Sequence, residues 1–376
     1  MSKSERMLSE AIHIKDCPLI RSVRVRQVIV PFEQPLTTAS GAMHAAPLVL
    51  LDIITDAGTV GSAYLFCYTP TVLKSMAQLA NDVSLTIVGR SLAPHTIIED
   101  LRKRFCLIGT AGLLDMVLSL IDMALWDAWS KYLAQPLAAL FGGDLTQGRT
   151  IPVYASYGMS DVEQTERNVQ QAMEAGHHHI KIKIGHPTLR EDIKVVESAL
   201  KVMGNNAVLL VDYNQSLTVA EALVRCPALD AYGLGWIEEP TAFDDLQGQT
   251  EITRRCTTPV QIGENLWGPR QISESINARA SDLMMPDLGK VGGVSGWQKA
   301  VGICAAGNIP VSNHFYQEVS VHLLLVAPRA HLLEYFSMVD PIVESPLCVT
   351  DGQASVPNEP GSGIVWREDQ VDRFAA

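Results

Sequence analysis

HIKIKIG at residues 179–185 decides the fold. Ile180, Ile182 and Ile184 alternate with Lys181 and Lys183, which is the period of a strand. Isoleucines facing helices and lysines facing the inside of a barrel account for both sides of this strand. An edge strand with solvated lysines is the bland alternative. The same texture, a short apolar run ending in polar or charged groups, recurs as IPVYAS (151–156), AVLLVDYN (207–214), LGWIEEP (234–240), PVQIGEN (259–265), DLMMPDL (282–288), IPVSNHF (309–315) and HLLEYF (331–336), eight runs in all. Charged residues near their ends stand at Lys183, Asp212, Glu238, Glu264, Asp287, His314 and Glu334, with gaps of 29, 26, 26, 23, 27 and 20 residues. Each gap holds one helix, two loops and the next strand, and eight such units predict an α/β fold, a (β/α)8-type barrel over residues 143–336.

Residues before this stretch read differently. SVRVRQVIV alternates, APLVLLDIIT is nearly continuous, and Gly58 to Gly61 marks a turn, so strands are expected from about 20 to 68. LLDMVLSLIDMALWDAWSKYL then takes helical spacing, with Val117, Ile121, Ala124, Leu125 and Ala128 on one stripe until Gly142 and Gly143. Residues 20–142 are therefore expected to form an α+β capping domain. The Pro- and Gly-rich tail, 337–376, is expected to pack back on it.

The chain has 376 residues with a formal net charge of −12 and no basic run, which argues against a nucleic-acid partner. No apolar run approaches ~18 residues and the N-terminus mixes charges, so neither a membrane span nor a secretion signal is expected. Seven scattered cysteines without a C-x-x-C pair suit reduced thiols and a cytoplasmic location.

In a barrel of this kind the C-terminal strand ends converge on one mouth. Asp212, Glu238 and Glu264 close three consecutive strands, and three anionic groups in one confined volume call for a divalent cation, with hard oxygen donors suiting Mg2+. Helix caps or pairs with arginine are the alternative reading of each. Glu239, on the opposite side of its strand from Glu238, is expected behind the ligands. Lys181 and Lys183 inside the barrel each make the other's charged form less favourable, so Lys183, nearer the mouth, is expected to act as a base near neutral pH. His314 and Asp287 end neighbouring strands, and a carboxylate that fixes one ring nitrogen frees the other to move a proton. Glu334 is open between a general acid and a buried partner of a lysine. The run His177–His179 follows Gly176 on the far face of the barrel and is set aside. The glycines of GKVGGVSGW (289–297) could cradle a phosphate or simply lead into a helix.

A cation with bases on two sides suits removal of a proton next to a carboxylate. The enediolate that forms carries new charge that the cation, Lys181 and a protonated Glu334 could stabilise.

KIKIG, VDYNQS, WIEEP, GEN, MPD and SNH, in that order, together with IDMALWDAWSKYL before the barrel and GIVWRE after it, resemble the enolase superfamily and its mandelate racemase subgroup over roughly residues 22–372. The resemblance implies that Asp212, Glu238 and Glu264 bind Mg2+, that Lys183 is the base for the S enantiomer, and that His314 with Asp287 serves the R enantiomer. It further implies that Lys181, Glu334 and Ser156 contact the substrate carboxylate and Asn214 the α-hydroxyl. It implies a flexible covering loop at about 32–47 that offers Leu36 and Met43, with Tyr68 close behind, and assembly as a dimer or octamer. An apolar lid suits an aryl or alkyl group better than a polyol. The leading expectation is a Mg2+-dependent racemase of small 2-hydroxy carboxylates such as mandelate. An acid-sugar dehydratase and a non-catalytic barrel are the alternatives.

Overall fold

The computed structural model describes residues 17–39, 41–146 and 148–376. The leader at 1–16 and Ser40, within the expected covering segment, lie outside the described residues. Strands β1 (Ile20–Thr38), β2 (Gly41–Thr55) and β3 (Val60–Phe66) form an antiparallel meander. Helices α1 (Pro70–Leu85), α2 (Pro94–Arg104) and α3 (Leu113–Tyr132) follow. The sequence predicts one apolar stripe on α3, yet this helix is buried around almost its whole girth. Its acids find partners there: Asp122 Oδ2 accepts from the Ser295 backbone N–H at 2.9 Å and Asp127 Oδ2 from that of Ser62 at 2.7 Å. Burial pushes Asp122 up to about 7 against these hydrogen bonds.

Close approach of α3 to β3 depends on Gly61, where a Cβ would collide with the Ala124 carbonyl and with Ala128. Gly61→Ala is expected to cost about 1–3 kcal/mol through overpacking. An urea titration checks this: the midpoint should fall while the slope stays constant.

Parallel strands β4 (Thr150–Tyr157), β5 (His179–Lys183), β6 (Val208–Asp212), β7 (Ile237–Glu238), β8 (Val260–Ile262) and β9 (Leu283–Met284) run in sequence order, and β10 (Leu333–Tyr335) pairs with β4. The seventh position is weaker than the sequence predicts. IPVSNHF contributes isolated bridges, Met284 to Val311 and Asp287 to His314, instead of a ladder. Side chains substitute for backbone there: the Glu334 N–H donates to Asn313 Oδ1 at 2.8 Å and the Leu332 N–H to Ser312 Oγ at 3.3 Å. Capping boxes at Thr188/Glu191 and Thr218/Glu221 set the starts of the helices after β5 and β6.

Tyr154, Leu210, Trp236, Leu283 and Leu332 pack together inside the barrel, while Ile180, Ile182 and Val211 join the larger core shared with the helices. The chain end runs back along β1. The Ile29 N–H donates to the Phe374 carbonyl at 2.9 Å, and Trp366 Nε1 to Asp52 Oδ1 at 2.8 Å. The seven cysteines, all described, are unpaired. Among the described residues no helix is long and apolar enough to cross a membrane.

Gly293 sits where a Cβ would lie 2.5 Å from Asp122 Oδ2. Gly293 therefore leaves room for a carboxylate from α3 and opens a helix at Gly293–Ala306, which is the second of the two readings of GKVGGVSGW.

Candidate active site

A cavity of about 380 Å³ opens at the C-terminal strand ends, lined by Lys183, Asn214, Gln215, Glu264, Asn265, His314 and Phe315 from the barrel and by Leu36, Thr38, Met43, Phe66 and Tyr68 from the first domain. Alternation on β5 turns both lysines inward, 1% and 7% exposed. Lys183 Nζ donates to Asp212 Oδ2 at 2.6 Å. Lys181 Nζ meets Glu238 Oε1 at 2.8 Å and Glu334 Oε1 at 3.0 Å, above the Tyr154 ring. Burial alone would drive Lys181 toward its neutral form, but Glu238 and Glu334 outweigh it and hold its pKa well above the usual lysine range. The expectation that the two ammonium groups chiefly oppose each other is thereby corrected: each has its own carboxylate, and Lys181 is a fixed positive charge.

His314 Nδ1 lies 2.6 Å from Asp287 Oδ2 and its Nε2 3.1 Å from Glu264 Oε2. Burial opposes an imidazolium here, yet Glu264 and Asp287 prevail and raise the pKa. Glu334 takes one of the two roles left open for it. Burial would raise its pKa, but Lys181 and His314 bring it down to about 2, and the Phe315 N–H donates to Oε2 at 3.0 Å. Its place is that of a buried partner of Lys181, which favours the carboxylate over the protonated donor expected from the sequence.

Asp212 and Glu238 are register partners on adjacent strands, with Glu264 just past the end of the next. Each is turned toward a protein cation: Asp212 toward Lys183, Glu238 toward Lys181, Glu264 toward His314. Among the described residues, accordingly, no three His, Cys, Asp or Glu side chains already form a closed cage for an ion. Charge balance nevertheless fits a dication. The buried acids Asp212, Glu238, Glu239, Glu264, Asp287 and Glu334 face Lys181, Lys183, Lys290 and His314, six negative against at most four positive, a deficit of two. Two acids bear that deficit. Burial, then the repulsion of Asp212, Glu264 and Glu334 against the pull of Lys181, pushes Glu238 up to about 8. Burial and Glu264 push Glu239 well above the carboxylate range. The Glu239 Oε1 and Asn214 Oδ1 atoms are buried without a hydrogen-bond partner, and carboxylate and amide oxygens are the donors that Mg2+ takes.

The covering segment is a β-hairpin tip instead of a loop, with Leu36 opposite Met43 and Thr38 opposite Gly41, after an irregularity between Pro31 and Leu36. It is latched to the barrel. The Met159 N–H donates to the Thr37 carbonyl at 2.7 Å, and a Cβ on Gly158 would lie 2.7 Å from the Thr37 nitrogen. Asn214 donates from Nδ2 to Asp212 Oδ2 at 3.0 Å. Tyr68 points its hydroxyl toward Asp287 Oδ2 at 3.5 Å. Ser156, the register partner of Lys181, lines a neighbouring cavity of about 320 Å³ beside Leu36 and not the one that holds Lys183 and His314.

Sequence reasoning passed over Asn265, Gln215, Phe315 and Lys290. Asn265 stood in the GEN run beside the chosen Glu264 and was legible in principle. Tyr68, Asn214, Gln215, Glu239, Phe315 and Tyr316 all hold positive φ, which costs of order 1–3 kcal/mol per residue and bends the chain sharply at the mouth. Asparagine, as at Asn214, tolerates that conformation, whereas the other side chains carry no local signal for it.

Two family descriptions match the chain: the mandelate racemase / muconate lactonizing enzyme N-terminal domain over residues 20–142 and the enolase C-terminal domain-like family over 164–370. Among curated proteins, 3,6-anhydro-alpha-L-galactonate cycloisomerase of Streptomyces coelicolor is 30% identical over 95% of this chain and 99% of its own. Among solved structures, an enolase from Bradyrhizobium complexed with magnesium and mandelic acid is 39% identical, with a TM-score of 0.92 over 96% of this chain and 100% of that one. L-Talarate dehydratase from Polaromonas sp. JS666, complexed with Mg and L-glucarate, is 25% identical, with a TM-score of 0.88 over 96% and 98%.

Proposed function

This chain belongs to the mandelate racemase subgroup of the enolase superfamily, and from that premise we propose that it racemises 2-hydroxy acids, with mandelate or a close aryl analogue as substrate. It is an enzyme of a Mg2+-dependent family, and Mg2+ is its cofactor. The observation that carries the racemase reading is one cavity with Lys183 and the His314–Asp287 pair on its barrel side and Leu36, Met43 and Phe66 above them.

Asp212, Glu238 and Glu264 are the residues that would hold Mg2+. Bound there, the ion supplies positive charge to the substrate carboxylate as its α-proton becomes acidic. Lys183 Nζ takes the α-proton of the S enantiomer, and His314 Nε2 returns one from the other side; for the R enantiomer the roles exchange. Asp287 holds His314 Nδ1, so the ring can turn over between imidazole and imidazolium without losing its orientation. Lys181, charged throughout, stabilises the negative charge that grows on the carboxylate. The apolar residues above exclude water and accept an aryl ring.

Dehydration of an acid sugar is the second reading, favoured by Asn214, Gln215 and Asn265 in the same cavity. His314 would then protonate a leaving β-hydroxyl. Polarimetry separates the two: with Mg2+, (R)-mandelate should lose its rotation. Constant rotation together with conversion of an aldonate to a keto acid would replace racemisation by dehydration. The remaining proposals are a small-molecule 2-hydroxy carboxylate as partner, with neither nucleic acid nor membrane, a cytoplasmic location and a homo-oligomeric state, dimer or octamer.

A further inference from the structure

Lys290 is buried, 6% exposed, and beyond its place in the charge tally it has no part in the proposed reaction. A buried ammonium is costly unless something nearby repays it. Among the described residues, Lys290 has no carboxylate within 4.0 Å. Its Nζ instead donates to the neutral amide oxygen Asn265 Oδ1 at 2.7 Å and stands 4.6 Å over the Tyr68 ring. The amide is thereby fixed in one of its two flips. With Oδ1 committed to Lys290, Asn265 Nδ2 points the other way and donates to Glu264 Oε1 at 2.9 Å and to Glu239 Oε2 at 2.7 Å. Glu264 Oε2 is left facing His314 Nε2 at 3.1 Å. If the amide turned over, its oxygen would face two carboxylates and Glu264 would have to swing away.

The same short turn carries the other half of the site. Asp287 Oδ1 accepts the Lys290 backbone N–H at 3.1 Å, while Oδ2 is paired with His314. Tyr68, from the first domain, reaches both the Lys290 ammonium with its ring and Asp287 with its hydroxyl. Lys290 thus closes a ring that runs Glu264, Asn265, Lys290, Tyr68, Asp287, His314 and back to Glu264.

We propose that Lys290 is a positioning residue that, through Asn265, sets which oxygen of Glu264 faces the reaction centre. This rests on the reading of Glu264 as a Mg2+ ligand. Partners one step behind a metal ligand typically change metal affinity by about 10–100-fold when removed. Isothermal titration of the full-length chain with MgCl2, in the absence of any substrate, gives the test. Lys290→Met should weaken Mg2+ binding by about 10-fold or more. Asn265→Ala should do the same, and the double variant should be no weaker than the worse single one, because both act through one link. A purely structural role for Lys290 would lower the melting temperature and leave the Mg2+ affinity within twofold of wild type, and that result overturns the proposal. Additive penalties in the double variant overturn it as well. If Lys290→Met does not fold, Asn265→Ala removes the same link and Lys290→Gln keeps a hydrogen-bond donor to Asn265 Oδ1. Weaker Mg2+ binding by Asn265→Ala, with Lys290→Gln closer to wild type than Asn265→Ala, supports the proposal, and unchanged binding by Asn265→Ala overturns it. A wild-type chain that takes up no Mg2+ removes the functional reading and this inference together, whereas tight wild-type binding matched by the variants removes only this inference.

Discussion

His314→Asn should abolish racemisation of mandelate while preserving Mg2+-dependent exchange of the α-proton of the S enantiomer with solvent deuterium. Asparagine cannot accept or deliver a proton in this pH range, and loss of a positioned acid–base group costs about 10²–10⁴-fold. Lys183 should keep working because its environment is separate: its hydrogen bond runs to Asp212, not to Glu264 or Asp287. NMR of each enantiomer in D2O checks the outcome. The S enantiomer should lose its α-proton signal and keep its configuration, and the R enantiomer should stay unlabelled. Exchange from R instead would reverse the assignment of the two faces. Lys183→Ala should give the converse, and an unchanged racemisation rate there would remove Lys183 from the reaction.

Glu264→Gln should remove most of the Mg2+ response of the folded chain. In the structure the Glu264 carboxylate does two jobs, contributing anionic oxygen to the proposed metal site and, 3.1 Å from His314 Nε2, favouring the imidazolium form of that ring. Glutamine can still accept from Asn265 Nδ2, so the fold should survive the change. A ligand that binds only the native state stabilises it by about 2.7 kcal/mol at one hundred times its Kd. Wild type should therefore melt higher in excess Mg2+ than in EDTA, and the variant should melt alike in both. Activity should fall by about 10³-fold, because charge stabilisation of this kind is worth roughly 10²–10³ per group removed. A variant that keeps the full Mg2+ shift would place the ion elsewhere.

Most of the architecture was legible in the sequence because strand ends carry their chemistry in fixed local patterns. HIKIKIG announces an inward lysine pair, and the charged ends of AVLLVDYN, LGWIEEP and PVQIGEN follow at nearly even spacing. IPVSNHF misled in degree, since Asn313 and Ser312 use side chains to bridge to the eighth strand where a ladder was expected. The ionisation of Glu334 could not be read either. It depends on Lys181, 153 residues away, standing 3.0 Å off in the folded chain. Asn265 and Lys290 are 25 residues apart and meet only across neighbouring strand ends, so no local pattern joins them. The flexible covering loop at about 32–47 rests on the family resemblance alone, and the strands instead resume pairing at Leu36 and Met43 beyond the irregularity.

One measurement bears on the whole account: proton NMR of (R)- and (S)-mandelate, each incubated with the wild-type chain in D2O, with MgCl2 and with EDTA. With Mg2+ both enantiomers should exchange their α-proton and approach the same mixture, and with EDTA neither should. Retention of the α-proton by both enantiomers in Mg2+, in a chain that binds the ion, would mean that Lys183 and His314 do not address a 2-hydroxy acid from two sides.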